Sequence, residues 1–502
     1  MKKSIAILIA VTLILALVAA CGGNEPEVIK DTSIVVMTPT GIDNLNPISN
    51  APINLFYAQS VFDTLVKYNP DYTFGPRLAE TWEYADGGMS MIFRIRQDAK
   101  FHDGSQVTAG DVVYSINAYL GTTFGMAWSR SILGAELVDA NTVKVHRANR
   151  EVNLLGLMAG LFFIVPEHLH SDESFDFDTN PVGSGPFIFE SQGIDDSVVL
   201  LANEDYFLGA PEIKTLTLQP TVDMATAVIA LQTGEVDIIF NIPAAQLSTI
   251  ANDGNLTLKQ EVGFSQETVI LSGEPFVSND KLRAAVFHGL SSENMLAIAG
   301  EGDGVVAQSI FSERLLGEFH ADGFIGERFN PELARQLLAE SGYDTSVPIM
   351  LTVLASYAPH AQVIQSDLRE IGLIIEIEQV DGATFMGKLF GGDLAMMVSA
   401  LGQATGSAFD LLNVFTTQGD MMNLYRVKCP ALDVAALNVL EAADEASRAA
   451  AMQEALTHLI ATNAIIPMYV ANNNVAFSNR IVDVPAPFIS TLAVNFGDLR
   501  LR

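Results

Sequence analysis

The residues that could carry chemistry are dispersed in this chain. Of eight histidines, only His168 and His170 stand close together, in Pro166-Glu167-His168-Leu169-His170. Two neutral imidazoles at that spacing could serve a metal, but the reading taken is a loop, and no metal ligand or cofactor is assigned. Gly183-Ser184-Gly185 could turn backbone N–H groups toward an anion, or be a plain turn. His102 and Asp103 tempt a catalytic reading, yet Asp103-Gly104 is a turn dipeptide. No Gly-x-Ser-x-Gly elbow, His-Glu-x-x-His, Walker-type loop or Gly-x-Gly-x-x-Gly leading into a helix occurs. No catalytic residue follows from the sequence.

The elements around these residues are clearer. Thr108 caps a helix, with Asp111 completing a capping box. Val112, Val113, Ile116 and Leu120 form the apolar face of that helix. Ser33 to Met37, Met91 to Ile95, Thr215 to Leu218 and Val236 to Phe240 read as strands, and Ile53 to Val66 and Thr226 to Thr233 as helices. Beyond about residue 270 the pattern shifts to α/β alternation. Asn330 caps a helix with Pro331 at its first position and Gly342 as terminator. His360 to Ile371 is a helix closed by Gly372, Leu373 to Val380 a strand, Ser447 to Thr462 a helix and Ile465 to Val470 a late strand.

Length and composition bound the class. The 502 residues suggest two or three domains. A net charge of −32 excludes nucleic acid as a natural partner and favours cationic ones. Residues 1–20 have the anatomy of a secretory signal: Lys2-Lys3, an apolar run from Ile5 to Leu17, then Val18-Ala19-Ala20 before Cys21. Cys21, followed by Gly22-Gly23-Asn24, resembles a bacterial lipoprotein site, implying a lipidated N-terminus at the outer face of the cell membrane, toward the periplasm or exterior. Residues 21–30 read as a flexible tether. Cys429 is then the only other cysteine, a buried or idle thiol.

Taken in order, Leu45-Asn46-Pro47, Val61 to Val66, Pro76 to Glu83, Phe93 to Arg96, Phe101 to Ser115, Pro181 to Phe187, Asn203 to Pro211, Leu231 to Asp237 and Asn330 to Tyr343 resemble one family. It is the peptide- and nickel-class extracytoplasmic solute-binding proteins of ABC importers. Each motif is weak and the ordered set is strong. The resemblance implies an α/β, two-lobed periplasmic-binding-protein fold, with an extra subdomain in the N-terminal lobe and a hinge crossed twice. It places lobe I at 31–270 plus 472–502, with the subdomain at about 71–180, and lobe II at 271–471. The implied partners are a peptide or metal-chelate ligand and the importer's permease, with the protein acting as a monomer.

Site residues follow from that resemblance. Peptide-binding members anchor the ligand's amine with an aspartate in an Asp-Pro motif near a tryptophan. The matching region, Met396 to Phe415, has neither Asp-Pro nor Trp. There Asp410 supplies the carboxylate or caps a local helix, with Thr405 nearby. Trp128 walls the cleft or packs in a core, and Arg130 meets a ligand carboxylate or is a surface charge. Phe56 and Tyr357 are chosen by position. An extracytoplasmic peptide hydrolase, or a receptor lipoprotein without transport, is the alternative on the same fold.

Overall fold

The computed structural model describes residues 32–49, 53–69, 73–122, 125, 132–148, 154–221, 223–316, 328–402, 412, 414–417, 423–442, 445–484 and 495–502. β1 (Ser33–Thr38) opens the main sheet. The chain then leaves it for two small antiparallel sheets. One pairs β2 (Val66–Tyr68) with β3 (Phe74–Pro76). The other, ordered β4-β5-β7-β6, comprises β4 (Ala79–Ala85), β5 (Ser90–Ile95), β6 (Ile132–Asp139) and β7 (Thr142–Arg147). Met91, Phe93 and Ile95 point into its own core, with Val143, Val145 and the buried face of the helix Ala109–Leu120. This is the extra subdomain. The helix begins as the sequence requires: the Thr108 hydroxyl accepts from the Asp111 N–H at 3.2 Å, and the Asp111 carboxylate accepts from the Thr108 N–H at 2.9 Å.

The chain rejoins the main sheet through β8 (Phe187–Gln192), β9 (Val198–Ala202), β10 (Thr215–Pro220) and β11 (Ile238–Phe240). β12 (Leu256–Leu271) follows, then β13 (Gly304–Val306), β14 (Ile349–Leu354), β15 (Ile375–Val380), β16 (Met396–Leu401) and β17 (Ile465–Ser478). The order is β15-β14-β16-β12-β17-β11-β1-β10-β9-β8, with β13 on β17. Alternate residues of β1 and β11 enter separate cores on the two faces of the sheet. Ile34, Val36, Ile238 and Phe240 face one, and Met37 and Ile239 the other. β12 and β16 alternate likewise between two cores, as expected of a sheet buried on both faces.

β12 and β17 carry the chain between the lobes. Residues 256–262 of β12 pair with 472–478 of β17, and 266–270 pair with 465–470, with a register break between Val262 and Gln266. The upper half of β17 also pairs β11, at Val475 to Phe477. The fold is thus α/β and two-lobed, with the hinge crossed twice.

Local signals were read correctly where they are local. Asn330 accepts from Leu333 N at 3.0 Å, with Pro331 in the first turn, and Gly234, Gly342 and Gly372 end their helices with positive φ. Two expectations differ. The helix expected over Ile53 to Val66 spans only Leu55–Val61, because Asp63 turns inward to a buried ion pair. The late strand runs on to Ser478, because Asn472-Asn473-Asn474, polar as a loop, pairs with Gln260 to Val262.

Candidate functional site

Strand direction locates the site. β11 runs antiparallel to β17, with Ile238 opposite Phe477 and Phe240 opposite Val475. β1 and β11 are parallel, as are β1 and β10. Their carboxyl ends therefore point toward Ala471. β16 is antiparallel to β12, which is antiparallel to β17, and β14 is parallel to β16. Those carboxyl ends point toward Ala471 from the other side. The carboxyl edges of the two half-sheets face each other across the break in register, and ligands of open α/β sheets bind at such edges.

On the first lobe's edge, Asn54 caps the helix Leu55–Val61, accepting from Phe56 N at 3.0 Å and Tyr57 N at 3.3 Å. Its amide donates to the Thr40 carbonyl at 3.0 Å. Capping fixes the first turn, so the half-buried Phe56 lies over Phe240 at the end of β11, with ring centroids 4.9 Å apart, and 6.0 Å from Phe496. Phe56 is a wall of that edge.

On the second lobe's edge, Tyr357 ends a short 3₁₀ turn directly after β14. Its hydroxyl accepts from Ala400 N at 3.1 Å and lies in electrostatic range of the Glu267 carboxylate. Glu267 stands opposite Tyr469 on one side and Ala400 on the other. The His360 ring meets Tyr357 edge-on at 5.1 Å and stacks on Tyr469 at 5.9 Å, with Nε2 2.8 Å from the Tyr469 hydroxyl. Burial pushes Glu267 up to about 7, opposed by the Tyr357 hydroxyl. Burial lowers His360 to about 4, so its ring is neutral. Glu267 Oε2 and His360 Nδ1 are buried without hydrogen-bond partners.

Phe56 and Tyr357 thus lie on opposite edges, attached to different cores. Trp128, Arg130, Thr405, Asp410 and Cys21 lie outside the described residues. Glu267, His360 and Tyr469 were missed by sequence reasoning. The available signal was a single acidic residue in a run that turns apolar, Glu267-Thr268-Val269-Ile270-Leu271.

The other sequence candidates are committed elsewhere. His168 Nε2 lies 2.8 Å from Asp103 Oδ2. Both nitrogens of His170 are engaged, by Tyr114 at 2.8 Å and Asn46 at 3.2 Å. Among the described residues, no group of three His, Cys, Asp or Glu could hold a metal. The Gly183-Ser184-Gly185 turn is structural. Gly185 N donates to the Val61 carbonyl at 2.9 Å and Gly183 N to His102 Nδ1 at 3.3 Å. A Cβ on either glycine would collide with the Val61 carbonyl.

Facing carboxyl edges over a doubly crossed hinge define a binding-protein architecture. The family model for bacterial extracellular solute-binding proteins, family 5 middle, matches residues 73–423, and the chain belongs to that family. Among curated relatives, heme-binding protein A of Haemophilus influenzae is 26% identical over 352 residues, 63% of this chain and 64% of that protein's length. The nickel-binding periplasmic protein of Escherichia coli is 24% identical over 398 residues, 71% of this chain and 73% of its own. Among solved structures, a dipeptide-binding protein from Pseudoalteromonas in complex with Met-Leu superposes with a TM-score of 0.80 at 21% identity. It covers 94% of this chain and 100% of its own. Among the described residues, no helix is long and apolar enough to cross a membrane.

Proposed function

We propose that this protein captures a small solute, a peptide or metal chelate, between the two carboxyl edges and delivers it to the permease of an ABC importer. The observation that carries this reading is the convergence of parallel-strand ends from both lobes on one break in register, Val262 to Gln266 against Ala471. Bending there closes the lobes on a ligand. The lobe boundaries are part of the proposal: 31–270 plus 472–502 with a subdomain at about 71–180, and 271–471. The register break supports moving the first crossing a few residues earlier. Lipidation at Cys21, an extracytoplasmic location, a monomeric state and binding without catalysis complete the reading.

A thermal-shift screen over peptides, metal chelates, opine-like amino acids and sugars tests it. A true ligand raises the melting temperature with the logarithm of its excess over Kd. No shift with any class would overturn solute capture, and turnover of peptides would replace it with hydrolysis.

A further inference from the structure

We infer that Glu267 is the counter-charge for a cationic nitrogen on the captured solute. The inference rests on the capture reading above and adds the charge of what is captured.

Among the described residues the buried carboxylates are Asp63, Asp111, Asp237 and Asp367. Asp63 takes hydrogen bonds from Arg77, Tyr206 and Ser184. Asp237 takes them from Arg480 through two nitrogens and from Val35 N. Asp111 accepts from Thr108 and Glu167 N, and Asp367 from Ser291 N and Asn294. In each of these carboxylates both oxygens are served. Glu267, half-buried on β12, breaks the pattern: its Oε2 is shut from solvent with no hydrogen-bond partner, and no lysine or arginine among the described residues pairs with it. A buried carboxylate without a counter-ion is costly. A residue tolerated on those terms, at the edge where ligands bind, has its partner in the ligand.

The neighbours agree with that assignment. Tyr357 and Tyr469 lie in electrostatic range of the carboxylate, and the His360 ring packs against both. A carboxylate oxygen left unpaired among neutral aromatic groups selects an ammonium or guanidinium by charge. The neutral His360 brings no competing positive charge. An acidic molecule, with 59 Asp and Glu against 27 Lys and Arg, also concentrates cations around itself.

The test uses the full mature chain and four probes: dipeptides with a free amino terminus and no basic side chain, the same dipeptides N-acetylated, N-acetylated dipeptides carrying Lys or Arg, and nickel(II)–EDTA. Calorimetric titration of the wild type and Glu267→Gln is expected to show binding of the first probe, the third or both. Which one binds identifies the source of the nitrogen. Binding should release protons, seen as an enthalpy that varies with buffer. Glu267→Gln, with unchanged circular dichroism, should lose at least tenfold in affinity and all of the proton release. Equal binding of the acetylated neutral dipeptides, binding of nickel(II)–EDTA alone, or unchanged affinity in Glu267→Gln would each overturn the counter-charge while leaving solute capture standing. Failure of all four probes, together with the empty screen described above, would remove capture itself.

Discussion

Asp63 and Glu267 each hold carboxylate oxygen out of water, and they are treated in opposite ways. Asp63 is fully buried at the start of the subdomain, where it closes an ion pair with Arg77 and accepts from the Tyr206 and Ser184 hydroxyls. Burial pushes its carboxyl up, and Arg77 pulls it back. The network ties the end of the helix Leu55–Val61 to the bend between β3 and β4 and to two later loops. Glu267 is half-buried, with Oε2 shut from solvent and unpartnered. A saturated buried charge is scaffold, because every lone pair already does structural service. A half-served one at a strand edge is poised for something from outside.

Breaking the saturated network should have the largest effect. Asp63→Ala strands the Arg77 guanidinium in the interior, and urea unfolding should show a loss of about 3–5 kcal/mol. Affinity for any ligand found by the screen should change little once the variant is folded. Removing the unsaturated charge should act in the other direction. Glu267 titrates above its ordinary 4.5 in the folded state, so the fold holds this proton more tightly than the unfolded chain. The stability it contributes is full below about pH 4.5 and is lost as pH rises through about 7. Glu267→Gln should therefore be more stable than wild type at pH 8, by on the order of 3 kcal/mol, with the gap closing toward pH 5. Melts across that range check the sign; a gap independent of pH would mean that the carboxyl is not raised.

Tyr357→Phe sharpens the comparison with a smaller effect. It removes the acceptor of the Ala400 N–H and the hydroxyl that steadies the Glu267 charge. The expected loss is about 1–2 kcal/mol, and the midpoint of the Glu267-linked stability change should move to higher pH. Smallest is Thr108→Ala, which touches neither carboxylate. It should cost about 1 kcal/mol through the lost cap and leave affinity and pH dependence unchanged.

These differences also explain what the sequence could disclose. The Thr108–Asp111 box and the Asn330 cap are written within four residues, and each forms as read. Family order made the two-lobed fold legible. The limits come from partners distant in sequence. Asn472 to Asn474 lie past the strand expected over Ile465 to Val470, and join it only because Gln260 to Val262 is brought beside them. Asp63 stops a helix only because Arg77 and Tyr206 fold over it. Glu267 has no local signal, since nothing near it in sequence says that Oε2 is shut away or that Tyr357 arrives from ninety positions on. Of the residues chosen for the site, Phe56 and Tyr357 lie on the facing edges, and the cluster around Tyr357 had no signature of its own.

The shared strands have a thermodynamic consequence. β12 and β17 are hydrogen-bonded to each other on both sides of the hinge; β17 lies between β11 and β12 in the first half-sheet, and β12 between β16 and β17 in the second. Neither lobe owns its own middle. Melting one lobe strips ladder bonds and both faces of packing from strands that the other lobe needs, so the lobes are bound to one cooperative transition. The hinge is then a place where the molecule can bend without being a place where it can come apart.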